Sequence, residues 1–181
     1  HTDTWLIRVD ENGSKIWDYT YGGDFFDSGS KVEIASDGNW LVFGYSSSNP
    51  GSLKTAPAKG GDDYWAIKVN DENGSMIWDK SYGGASYDYF DDALVLEDGS
   101  FIMVGLSYAA SGNTGNRQSA AKGKSSDLWV VKADANGSIL WERSYGGEKG
   151  VGWNSRILEL PTGEFVISSA ATGVAAEDIT G

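Results

Sequence analysis

Cysteine is absent from this 181-residue chain, histidine occurs once, and basic side chains are scarce, with 14 Lys and Arg against 26 Asp and Glu. Without cysteine there is no disulfide framework and no thiolate metal centre. The single histidine is His1, which leaves no internal base for a Ser-His-Asp arrangement. A net charge of −12 argues against nucleic acid and anionic membrane as partners, because both are held by Lys/Arg stripes. Solubility accounts for that charge. No apolar run approaches the roughly 18 residues of a membrane-spanning helix, and His1–Asp10 has no apolar centre of the kind a secretion signal needs.

What the chain does have is aromatic side chains, 13% of the total, including eight Trp and nine Tyr. Each buries roughly 150–250 Å² when packed, so a chain this rich in them is ordered. They recur with a pattern. The string Asp3–Gly23 returns as Asp63–Gly84 and again as Asp127–Gly147. Trp5, Trp65 and Trp129 open the copies, Trp17, Trp78 and Trp141 follow, and Tyr21, Tyr82 and Tyr145 each begin a Tyr-Gly-Gly. These nine residues sit inside repeated strands and read as core. A long-period repeat of this kind decides the fold before any local reading.

Within each copy the reading is all-β. WLIRV, WAIKV and WVVKA are β-branched or apolar runs without helical period, each followed by an Asn-Gly pair suited to a hairpin. A second strand ends at Gly-Gly, and two more strands follow around Asp37-Gly38, Asp98-Gly99 or Thr162-Gly163. Each unit therefore reads as a four-stranded antiparallel meander, with repeats at approximately 3–62, 63–126 and 127–181 in one domain. The strands carry apolar residues on both alternating faces, so each sheet needs a neighbour on both sides. Small twisted sheets packed face to face in this way make a β-propeller.

At these residues the sequence resembles the bacterial and archaeal extracellular β-propeller repeat: Asp-x-Trp, Asn-Gly, Trp, Tyr-Gly-Gly, a downstream Asp, and Asp-Gly. The first copy supplies Asp3, Trp5, Asn12, Trp17, Tyr21, Asp27, Asp37 and Gly38; the second supplies Asp63, Trp65, Asn73, Trp78, Tyr82, Asp88, Asp98 and Gly99. The third departs, with Gly152 in place of the downstream Asp and Thr162 before its turn glycine. The resemblance implies blades of a larger secreted or cell-surface protein without catalytic activity. A more distant likeness to the Trp-docking repeats of quinoprotein propellers implies that Trp17, Trp78 and Trp141 sit between blades. The Asp-x-Trp strand is then third in its blade, and the ends (Asp3–Gly23 and Arg156–Ser169) are complementary half-blades. Three repeats are too few for a ring, which typically needs about 4–8. The expectation is excision from a longer chain, with closure by a second copy as the alternative.

Two linkers, Ser46–Gly61 and Ser107–Ser126, contain no acid yet hold Lys54, Lys59, Arg117, Lys122 and Lys124. By meander geometry they share a face with Asp24, Asp27, Asp88, Asp91 and Asp92, and this mixed-charge face is the expected contact surface for a protein or polysaccharide. Trp40 and Trp153 lie outside the repeat and are candidates for exposed stacking. Asp91 and Asp92 are adjacent in a strand and point to opposite faces, a poor acid pair for glycoside hydrolysis. The Asp-x-Asn-Gly turns invite a Ca²⁺ reading, but they lack EF-hand spacing and a hairpin explains them. No cofactor or metal is expected. The function read from the sequence is a binding or scaffolding module, with a propeller enzyme or a structural spacer as alternatives.

Overall fold

The structure, a computed structural model, describes residues 2–51, 53–108, 115–147 and 149–171. It is all-β, with no helix among the described residues and every strand pairing antiparallel. Strands β1 (Thr4–Val9) and β2 (Lys15–Tyr21) form a two-stranded layer. The second layer is β3 (Asp27–Ile34), β4 (Trp40–Ser46), β5 (Asp63–Val69) and β6 (Met76–Tyr82), paired in that order. The third is β7 (Asp88–Val95), β8 (Phe101–Tyr108), β9 (Ser126–Ala133) and β10 (Ile139–Tyr145), and β11 (Arg156–Glu159) with β12 (Phe165–Ser168) makes the fourth.

Sheet and repeat are out of phase. Each four-stranded sheet takes its first two strands from the end of one copy and its last two from the start of the next. The strand ladder breaks at the Gly-Gly corner, where β2 does not pair with β3 nor β6 with β7, whereas β4 pairs with β5 over seven residues, from Trp40↔Val69 to Ser46↔Asp63.

The turns differ in detail from a two-residue Asn-Gly hairpin. Gly13, Gly74 and Gly137 adopt positive φ, but the preceding asparagines do not. Five residues, Asp10–Ser14, separate β1 from β2, and the register slips at Arg8/Val9. The Asp10 carboxylate explains the loop, since it accepts the backbone N–H groups of Asn12 and Ser14 at 2.9 and 2.8 Å. Asp134 repeats this toward Asn136 and Ser138. One oxygen of each turn acid is thus committed to its own backbone.

Strand alternation sends the two faces of every inner sheet into different cores. On β5, Trp65, Ile67 and Val69 pack with Leu6 and Tyr21 of the first layer, and Tyr64 and Ala66 pack toward the third. On β9, Trp129 and Val131 face the second layer and Val130 faces the fourth. The first tryptophan of a copy therefore points back to the preceding layer. The second points forward, where Trp17 abuts the turn glycine Gly74 and Trp78 abuts Gly137. Tyrosine follows the same direction: Tyr21 Oη donates to Gly74 O, and Tyr82 Oη donates to Gly137 O at 2.8 Å.

Of the nine expected core residues, Trp65, Trp129, Tyr21 and Tyr82 are fully buried and Trp17, Trp78 and Trp141 are half-buried between layers. Trp5 and Tyr145 are corrections, at 61% and 43% exposed. Trp5 points back from the first layer, where no layer precedes it among the described residues, and Tyr145 points forward beyond the two strands of the fourth.

Candidate functional site

Two of the five linker cations, Lys54 and Arg117, are buried and take no part in an open contact face. Lys54 is fully buried, with its ammonium donating to Ala56 O and to Ser81 Oγ (3.1 Å) and lying 5.7 Å from the Trp65 ring. Arg117 is 6% exposed and donates to Asp127 Oδ2 at 2.8 Å and Ser144 Oγ at 3.0 Å. Each linker is a strap that folds back over its own sheet and inserts its cation beside a strand-borne acid. Lys59 is half-buried, and its backbone N–H donates to Asp63. Lys122 and Lys124 are exposed, the former with its N–H on Asp127.

The acids are corrected in the same sense. Asp24 is exposed, but Asp27 and Asp88 are buried and receive the N–H groups of Gly23 and Gly84 at the Gly-Gly corners. Asp91 and Asp92 do not diverge as strand alternation requires. A bulge between Phe90 and Asp92 turns both toward the fourth layer, where they accept Ser155 N (2.9 Å) and Ile157 N (3.1 Å). Asp92 also takes Lys31 of β3 at 2.6 Å. These carboxylates fasten layers together. Trp40 is likewise structural, 5.3 Å from the Trp17 ring with the Arg8 guanidinium over it.

Two carboxylates converge at each of the first two Gly-Gly corners. A Cβ at Gly83 would collide with Asp63 Oδ1 and lie 2.8 Å from Asp88 Oδ2, and a Cβ at Gly22 would lie 2.5 Å from Asp3 Oδ1 and 2.8 Å from Asp27 Oδ2. Only glycine leaves both acids room. Burial pushes the Asp63 carboxyl up to about 7, against the Lys59 backbone N–H, with the Asp88 charge adding to the rise. Burial raises Asp88 as well. An unfolded Asp titrates near 3.8, so between about pH 4 and 7 the unfolded chain releases a proton that native Asp63 retains. Stability contributed by the protonated form is complete below that window and is lost as pH rises through it, by a few kcal/mol at most. Urea midpoints measured from pH 4 to 8 should fall across the window in the wild type and flatten in Asp63→Asn. A slope unchanged by that substitution would refute the assignment.

A different set of residues does form an open surface. Tyr45 near the end of β4, Tyr89 near the start of β7 and Tyr108 at the end of β8 meet at the strand ends that carry the Gly-Gly corners. Tyr89 is the hub, 5.4 Å from Tyr45, 6.1 Å from Tyr87 and Tyr108, and 4.8 Å from Trp153. Phe26 extends the row by stacking on Tyr45 at 5.7 Å. The row crosses from the second layer to the segment before the fourth. Its outer members stay open: Trp153 is 48% exposed, Tyr87 52% and Phe26 41%. Burial and the nearby Asp62 carboxylate push the Tyr89 phenol up, so this hydroxyl is a neutral hydrogen-bonding group at physiological pH. Of the two tryptophans expected to be free for stacking, Trp153 lies in this row and Trp40 does not. Of the five other aromatics, Phe26 and Tyr87 share one repeat position, directly before Asp27 and Asp88, whereas Tyr45, Tyr89 and Tyr108 do not recur, and the Tyr45–Tyr89 and Tyr89–Trp153 contacts form only where layers stack.

The fold and site define a layered all-β repeat protein with an exposed aromatic row. No family model matches the chain. Over 107 residues, 58% of its length, it is 33% identical to the regulatory protein FlaEY of Caulobacter vibrioides, and it spans 11% of that protein.

Proposed function

We propose that the four layers are consecutive blades of a β-propeller, and that this module is a non-catalytic binding domain of a secreted or cell-surface protein whose aromatic row docks the rings of a polysaccharide. Supporting the propeller reading, the middle strands of both inner sheets are buried on both faces, and the first layer is keyed to the second and the second to the third by the same Trp and Tyr contacts. The observation that carries the ligand reading is the row itself. Contiguous Tyr and Trp faces with polar rims are the side chains that dominate recognition energetics, and Asp62 beside Tyr89 supplies an acceptor for a sugar hydroxyl.

A protein partner is a second reading, favoured by the strand edges: among the described residues β1 and β12 each have one unpaired side, where β5 and β4 are paired. Completion of the ring by further repeats or by a second copy would use those edges.

Binding of the full chain to an oligosaccharide array tests the ligand reading. Tyr89→Ala and Trp153→Ala should each weaken binding about tenfold or more while leaving the fold intact, the size expected for removing a central aromatic contact. Absence of binding by the wild type, or binding indifferent to both changes, would overturn it.

A further inference from the structure

One arrangement occurs complete in two layers and incomplete in one. In the second layer Asp79 on β6 accepts the Trp65 indole N–H at 2.9 Å and the backbone N–H groups of Thr55 and Ala56, with Lys54 inserted beside Ser81. In the third, Glu142 on β10 accepts the Trp129 indole at 2.6 Å and the N–H groups of Gln118 and Ser119, with Arg117 inserted beside Ser144. The straps differ in length and sequence, yet cation, acid, indole and hydroxyl correspond one to one. Each strap also reaches back to the preceding layer: Leu53 O accepts Gly22 N, and the Asn116 side chain accepts Gly83 N.

Among the described residues the first layer has the receiving half alone. Asp18 on β2 accepts the Trp5 indole at 3.1 Å, and Thr20 stands where Ser81 and Ser144 stand. Here the indole is 61% exposed, against 1% for Trp65 and 0% for Trp129. Lys15 reaches one Asp18 oxygen at 2.8 Å, but its side chain is 58% exposed. A pair so open contributes little and is displaced at small cost.

We propose that Trp5, Asp18 and Thr20 form the receptor for a basic strap supplied by a neighbouring repeat unit, an extended segment with Lys or Arg followed by two free backbone N–H groups. The strap cation lies over the Trp5 ring and beside Thr20, and its two N–H groups converge on Asp18. Attraction between cation and indole face adds to the ionic contact. The site is independent of the aromatic row and of any ring closure, since it follows from the correspondence of the layers.

The test uses the ¹⁵N-labelled full chain and a synthetic peptide with the sequence of residues 50–61. The Trp5 indole N–H resonance should shift with saturation at up to millimolar peptide, while those of Trp65 and Trp129, whose sites are filled, stay in place. Asp18→Asn in the protein and Lys54→Gln in the peptide should each weaken the effect at least about tenfold, the usual size of a charge-assisted contact. Because an isolated strap binds weakly, the same peptide is also tethered ahead of His1 by a Gly/Ser linker, which holds it near millimolar effective concentration. Protection of Trp5 from acrylamide quenching in that fusion, lost with Lys54→Gln in the tethered segment, supports the receptor. An unmoved Trp5 signal together with an equally quenchable indole in the fusion overturns it, as does binding indifferent to both charge changes.

Discussion

Trp129→Ala should lower the unfolding free energy by about 3–5 kcal/mol, the range for emptying a buried aromatic site, whereas Trp5→Ala should cost under about 1 kcal/mol. The two tryptophans occupy the same position of the repeat, so propensity and local sequence cancel in the comparison. What differs is the layer behind each. Trp129 is fully buried against the second layer, its ring 5.0 Å from Tyr64, and its indole satisfies a Glu142 oxygen at 2.6 Å. Truncation leaves a cavity between two sheets and weakens the support of a buried carboxylate. Trp5 makes the corresponding hydrogen bond to Asp18, but on an exposed face. Urea denaturation followed by far-UV circular dichroism measures both changes. Similar losses at the two sites would mean that the indoles act through their own hairpins, and the layered account would fail.

Much of the layered core is legible in the sequence because it rests on two periodicities. Recurrence of Trp and Tyr-Gly-Gly marks equivalent positions, and apolar residues on both faces of short strands require neighbours on both sides. The structure shows that for Trp65, Ile67 and Val69 against Tyr64 and Ala66. Composition misleads about the linker cations, since a Gly/Ser-rich segment with Lys or Arg looks solvated. A signal is nonetheless present. In both straps the residue after the cation precedes the strand acid by 24 positions, although the linkers differ in length. A spacing held constant across loops of unequal length points to a contact that fixes it. Trp17-Asp18, Trp78-Asp79 and Trp141-Glu142 mark the acid in every copy. The aromatic row has no such signal, because Tyr45, Tyr89 and Trp153 belong to three different parts of the chain and meet only through the order of the layers. The bulge that turns Asp91 and Asp92 the same way is also hidden, since one extra residue in a strand leaves no trace in composition.

Asp79→Ala is expected to destabilise the chain by about 3–5 kcal/mol, the cost of removing one partner from a buried ionic cluster. Asp79 is 3% exposed and receives the Trp65 indole, two backbone N–H groups and the Thr55 hydroxyl. Its removal leaves those donors unpaired and withdraws from Lys54 the carboxylate that most offsets its burial. Burial already depresses the Lys54 ammonium, and Asp79 is the foremost of the carboxylates that oppose this, ahead of Asp27 and Asp63. Without Asp79 the balance tips further toward the neutral amine. A lysine held below its unfolded pKa binds fewer protons folded than unfolded, so the variant's stability should climb as pH rises toward the unfolded lysine range. Lys54→Met removes the uncompensated cation while keeping much of its volume. The Asp79→Ala/Lys54→Met pair should therefore cost less than the two single changes summed, with a coupling of about 1–3 kcal/mol. Strict additivity in that cycle would show that cation and acid are stabilised separately, and the strap would then be a covering loop whose charge is incidental.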